Sequence, residues 1–209
     1  MKKIISTVVM LLSLFLATTA NAKYVETEAE IVNRLNSLSW DQRKLLIDTY
    51  FHAKNYGYAD TLSGILMTES NFGEVMVNPH DGKGTKYPGS YSAYQIHLNS
   101  FMECNGLKGK DTANRISNKL VKDQAYARNI AIKMLQEWED LYSRKNAPNA
   151  YKEMLASYNA GSKGLDSPKG REYANIVSFR GKVIGKWIQS NKSSKLVAYK
   201  KTIIKTKKA

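Results

Sequence analysis

The feature that most constrains this chain is an apolar periodicity of three and four residues running, with one interruption, from Val25 to Ser190. "VETEAEIVNRLNSL" sets Ile31, Val32, Leu35 and Leu38 on one stripe, which predicts a helix over 25–38. In "SWDQRKLLIDTYFHAKNYG", Ser39 is an N-cap, Gln42 its capping-box partner and Gly57 a stop, so a second helix is expected from Trp40 to Tyr56. A third, "ADTLSGILMTESNF", ends at Gly73. The interruption is "EVMVNPHDGKGTKYPGSYSAY", where Pro79, Gly82, Gly84, Pro88 and Gly89 exclude a helix and predict a functional loop with a short hairpin. Helical spacing resumes near "HLNSFMECNGL" and is strongest in "VKDQAYARNIAIKMLQEWEDLYSRK". Pro148 and Gly161 bracket a further helix. "GREYANIVSFRGKVIGKWIQS" is periodic through Tyr173, Val177, Ile184 and Trp187, with Gly181 and Gly185 as potential breaks. The pattern implies a mainly α single domain carrying one loop or short β-hairpin segment.

The two ends are of a different kind. Lys2 and Lys3, an apolar run from Ile4 to Ala17 and the triplet Ala20-Asn21-Ala22 read as a secretory signal peptide over 1–22, not as a stable membrane anchor. The expected domain is 23–190, with its core about 59–187, followed by a tail over 191–209 with seven lysines and no acid. Export to the periplasm, as a monomer, follows from this reading. Cys104 is the only cysteine, so an intrachain disulfide is excluded and the thiol reads as a small buried side chain. Three scattered histidines give no metal-ligand spacing, and no cofactor is expected. Net charge is +14, and about +12 without the leader. In an exported protein without a nucleic-acid signature, that charge points to an anionic wall polymer or surface, not to nucleic acid.

The charge that stands out is Glu69. Stepping by three and four from Leu62, Ile65 and Leu66 lands on it, so a carboxylate lies on or beside a face that a helix would bury. One reading is a boundary carboxylate that reaches solvent. The other is a general acid, because partial burial raises the pKa and leaves a proton to donate at neutral pH.

The residues around Glu69 weigh on that choice. "ESNFG", "YSAYQI" with Gln95, "ASYNAG" with Tyr158 and Asn159, and "REYANIV" with Tyr173 together resemble the soluble lytic transglycosylase family, of lysozyme-like, goose-type fold, over roughly 59–184. The resemblance implies Glu69 as catalytic acid, with Ser70, Gln95, Tyr158, Asn159 and Tyr173 binding substrate or placing the acid. It also implies that Tyr173 hydrogen-bonds Glu69, which with partial burial is expected to keep the acid protonated. Ser92 stands where the family carries glycine, and Ala174 where it carries valine. The implied reaction is non-hydrolytic cleavage of the β-1,4 bond between N-acetylmuramic acid and N-acetylglucosamine in peptidoglycan, leaving 1,6-anhydromuramic ends. A hydrolytic muramidase needs a second carboxylate, for which Asp81 in "NPHDGKG" is the candidate, although the bland reading makes it a turn residue. A third expectation is a wall-binding accessory protein whose basic tail docks an envelope-spanning secretion machine.

Overall fold

Three of the expected helices appear at once, the first two with caps that explain their starts. In this computed structural model residues 26–191 are described; the expected leader, and all of the expected tail beyond Asn191, lie outside the described residues. Helix α1 (Glu28–Ser37) begins at Thr27, whose hydroxyl accepts from the Glu30 amide while the Glu30 carboxylate takes the Thr27 N–H at 2.7 Å. Helix α2 (Trp40–Lys54) starts on the expected Ser39 and Gln42 capping box. It stops two residues before Tyr56, and Gly57 turns the chain at φ +83°.

Helix α3 (Ala59–Ser70) is the centre of the fold. The sequence suggests one buried stripe, but every residue from Thr61 to Met67 is buried. It ends earlier than expected, because Asn71, Phe72 and Gly73 all take left-handed φ values of 49°, 62° and 86°. Glycine adopts such angles freely, whereas an aromatic residue does so at a cost. Full burial of the Phe72 ring offsets that cost.

The interrupted stretch forms three two-residue strands, β1 (Val77–Asn78), β2 (Ser90–Tyr91) and β3 (Ile96–His97). They pair antiparallel in the order β1-β2-β3, with Val77 opposite Tyr91 and Tyr91 opposite Ile96. The expected hairpin is therefore a small sheet. Helices α4 (Leu98–Cys104), α5 (Lys110–Lys122), α6 (Gln124–Arg144) and α7 (Ala150–Ala160) follow. The single run expected across 121–145 is broken at Asp123, whose carboxylate caps α6 by accepting from the Tyr126 N–H at 2.9 Å. Cys104 is exposed at the end of α4, against the expectation of a buried thiol. The last turn of α4 buries Met102 and leaves Glu103 and Cys104 at the surface.

A 3-10 turn (Gly161–Asp166) leads into α8 (Pro168–Ser190), which is unbroken through Gly181 and Gly185. Those glycines are contact points and not breaks. A Cβ on Gly181 would stand 2.4 Å from the Asp60 carbonyl oxygen, and one on Gly185 would stand 2.3 Å from Asp60 Oδ1. A Cβ on Gly64 would likewise stand 2.4 Å from the Val177 carbonyl oxygen. Residue 60 of α3 thus meets 181 and 185 of α8, and 64 meets 177, so the two helices run antiparallel with their backbones touching. The protein is mainly helical with a small antiparallel sheet, and no described helix is long and apolar enough to cross a membrane.

Candidate active site

The antiparallel register of α3 and α8 carries forward to the end of α3. Five residues beyond Gly64 is Glu69; four residues before Val177 is Tyr173, and the Tyr173 hydroxyl donates to Glu69 Oε1 at 2.5 Å. Tyr173 is buried, with 7% of its surface exposed. Glu69 is only partly buried, because α3 ends there and opens onto a cleft of about 450 Å³. Ser70, Asn71 and Gln95 line the same cleft, as do the β1 residues Val77 and Asn78.

Three influences set the acidity of Glu69. Loss of water around its carboxyl group is the largest and raises the pKa from 4.5 to about 7. The Tyr173 hydroxyl works against this, since a donated hydrogen bond favours the carboxylate; the nearby charge of Asp81 raises the pKa again. Burial, and not Tyr173, keeps this acid protonated. The consequence is that the protonated form persists at neutral pH, where a carboxyl group at the ordinary value would be almost wholly ionised. Tyr173 itself is pushed well above the usual tyrosine range by burial and by the Glu69 charge, so it remains a donor.

The other expected residues divide into two groups. Gln95 lines the cleft, but its amide N–H groups are taken by the Val75 carbonyl at 2.9 Å and the Ser92 carbonyl at 3.0 Å. What it offers a ligand is its carbonyl oxygen. Ser70 also lines the cleft, and its hydroxyl closes the helix end, donating to the Leu66 carbonyl and accepting from the Gly73 N–H at 2.8 Å. Tyr158 stands behind the cleft as a strut, its hydroxyl donating to the Tyr94 carbonyl at 3.0 Å. It ties α7 to the 92–95 turn and lies close enough to Glu69 for that charge to help raise its pKa. Asn159 is exposed on the last turn of α7 and does not line the cleft, because helical rotation turns it away from Tyr158.

Ser92, at the glycine position of the resemblance, has φ +77° and is fully buried. Its N–H donates to the Met76 carbonyl at 2.8 Å and its hydroxyl accepts from the Tyr94 N–H at 3.2 Å. The serine therefore keeps the left-handed backbone and adds a bond that glycine lacks. Asp81 is exposed and does not line the cleft; its carboxylate accepts from the Ser90 hydroxyl, and its carbonyl accepts from the Gly89 N–H at 2.7 Å. Those bonds tie the long β1–β2 loop to β2.

Two arginines of the cleft, Arg34 and Arg180, are missing from the expected site. The signal for Arg180 was present: it follows Tyr173 by seven residues, two helical turns, on the same face of α8. No comparable signal marks Arg34, which is placed by the packing of α1 on α8. Among the described residues, no group of His, Cys, Asp and Glu is arranged to hold a metal ion. Comparison of the chain with protein-family models, curated proteins and solved structures gives no match.

Proposed function

We propose that the protein is an exported lytic transglycosylase that cleaves the β-1,4 bond between N-acetylmuramic acid and N-acetylglucosamine in peptidoglycan without consuming water. The observation that carries this reading is a single carboxylate lining an open cleft, raised to a pKa of about 7. One acid that holds a proton at neutral pH, and can take one back, suffices for an intramolecular transfer. Glycoside hydrolysis by the usual routes calls for two carboxylates flanking the bond.

In the proposed reaction Glu69 gives its proton to the glycosidic oxygen as the bond from muramic C1 to that oxygen breaks. The N-acetyl group of the substrate stabilises the cation developing at C1. Glu69, now a carboxylate, accepts the proton of the muramic C6 hydroxyl while the C6 oxygen bonds to C1. The proton has moved from C6 to the leaving sugar, one bond has replaced another, and the muramic end is a 1,6-anhydro ring. During the anionic phase Tyr173 steadies the Glu69 carboxylate through its hydrogen bond.

Mass spectrometry of the products from purified peptidoglycan tests this: anhydromuramic ends are expected, and reducing muramic acid would overturn it. Glu69→Gln should lower cleavage by about 10²–10⁴-fold in folded protein, the range typical of a lost general acid. The second reading, a muramidase in which Asp81 orients water, draws on the influence of Asp81 on the Glu69 pKa. Reducing ends together with collapse of activity in Asp81→Asn would select it.

A further inference from the structure

The cleft holds more positive charge than its acid accounts for. Arg180 and Arg34 both line it, from α8 and α1, and both reach one carboxylate, that of Glu26. Arg180 Nε donates to Glu26 Oε2 at 2.7 Å, and Arg34 Nη2 lies 3.3 Å from Glu26 Oε1. A second bond fixes the Arg180 fork, from Nη1 to the Thr68 hydroxyl at 3.2 Å. Thr68 immediately precedes the acid in α3 and lines the same cleft, so this bond holds the guanidinium on the cleft wall. Glu26 is the most covered of the three, with 11% of its side chain exposed, against 18% for Arg180 and 42% for Arg34.

Two guanidinium groups thus share one carboxylate that does not itself line the cleft. With Glu69 protonated, the form that donates, the Arg34, Arg180 and Glu26 group leaves one net positive charge on the wall of the same cleft. A salt bridge serving only to hold Glu26 in place would need one arginine. The second brings a like charge close to the first, which a second anion would relieve. Guanidinium forks also present paired N–H groups that match the two oxygens of a carboxylate.

We infer that Arg34 and Arg180 form an anion subsite that takes a carboxylate carried on the peptide branch of the glycan substrate, beside the bond being cut. This rests on the transglycosylase reading. Glu26 and Thr68 hold Arg180 in place before substrate arrives, which lowers the ordering cost of binding. Arg34, more exposed, completes the contact.

The test uses one muropeptide oligomer in two forms, with free stem-peptide carboxylates and with the same groups amidated. For the wild-type protein kcat/KM should be about ten- to a hundredfold higher on the free-acid form, the range expected of charge-assisted hydrogen bonds. Arg34→Gln, at an exposed position, should bring that ratio toward one, and Arg180→Gln should do the same. Arg180→Lys, which keeps the charge and loses the fork, should restore part of it. A wild-type ratio near one overturns the subsite, as does an unchanged ratio in both Gln variants, which would leave the arginines as anchors of Glu26. If the wild-type protein cuts neither form, the transglycosylase reading fails. Calorimetric binding of the two oligomers then decides the subsite: preference for the free acid, lost in Arg34→Gln, upholds it, and equal or absent binding removes it.

Discussion

At the scale of the residue, the influences on Glu69 can be separated by substitution. Tyr173→Phe removes the one that lowers the pKa, so the alkaline limb of kcat/KM, where the acid loses its proton, should move to higher pH. Asp81→Asn removes one that raises it, so the limb should move to lower pH while cleavage at pH 6 persists. Turbidity loss of purified peptidoglycan, followed from pH 5 to 9, checks both directions. Stability should respond in the opposite sense to a salt-bridged acid. The folded pKa of about 7 lies above the ordinary 4.5, so between those values the folded state binds more protons than the unfolded one. Stability is therefore lost as pH rises through that window. Glu69→Gln cannot ionise, and its melting temperature should exceed that of the wild-type protein by a margin that grows from pH 5 to pH 8. The position of Glu69 beside a buried face was legible from helical spacing. The opposing effect of Tyr173 was not, because spacing brings two groups together without saying which protonation state their bond favours.

At the scale of the element, glycine carried a meaning that periodicity alone could not supply. Gly181 and Gly185 read as breaks in the last helix because glycine weakens helices, yet both lie where a side chain would strike Asp60 of α3. Periodicity identifies the face that is buried but not the distance at which a neighbour packs. Gly64→Ala and Gly181→Ala should each destabilise the fold by about 1–3 kcal/mol in urea denaturation, as overpacking does. Each should also reduce cleavage, since a wedge between α3 and α8 parts Glu69 from Tyr173. Ser92 sets two effects against each other. Ser92→Gly should be nearly neutral, because relief of the left-handed backbone, about 1 kcal/mol, offsets the lost bond to Tyr94. Ser92→Ala keeps the strain and loses the bond, and should cost about 1–2 kcal/mol. The Ser39 and Gln42 capping box was legible, being local, and the Thr27 and Glu30 box, though equally local, was not singled out; the end of α3 at Ser70 was not legible. It depends on burial of the Phe72 ring, a tertiary effect that overrides the backbone preference of Phe72.

At the scale of the whole molecule, net charge suggested an anionic partner without placing any charge in space. The fold places two of its cations in the cleft by bringing Arg180, from the last helix, to Glu26 and Arg34 near the start of the chain. The packing of α3 on α8 gives the cleft walls of unequal stiffness. One wall is keyed backbone to backbone, so the helices carrying Glu69 and Tyr173 cannot slide past each other without a collision. Another part of the lining is β1, the edge of a sheet of two-residue strands held by a handful of hydrogen bonds. Amide hydrogen exchange should be orders of magnitude slower in the middle of α3 and α8 than across residues 77–91. A glycan strand threading this cleft would meet a fixed anvil on the acid side and a compliant jaw at β1, so accommodation of bulkier branches falls to the jaw while the donor geometry stays constant.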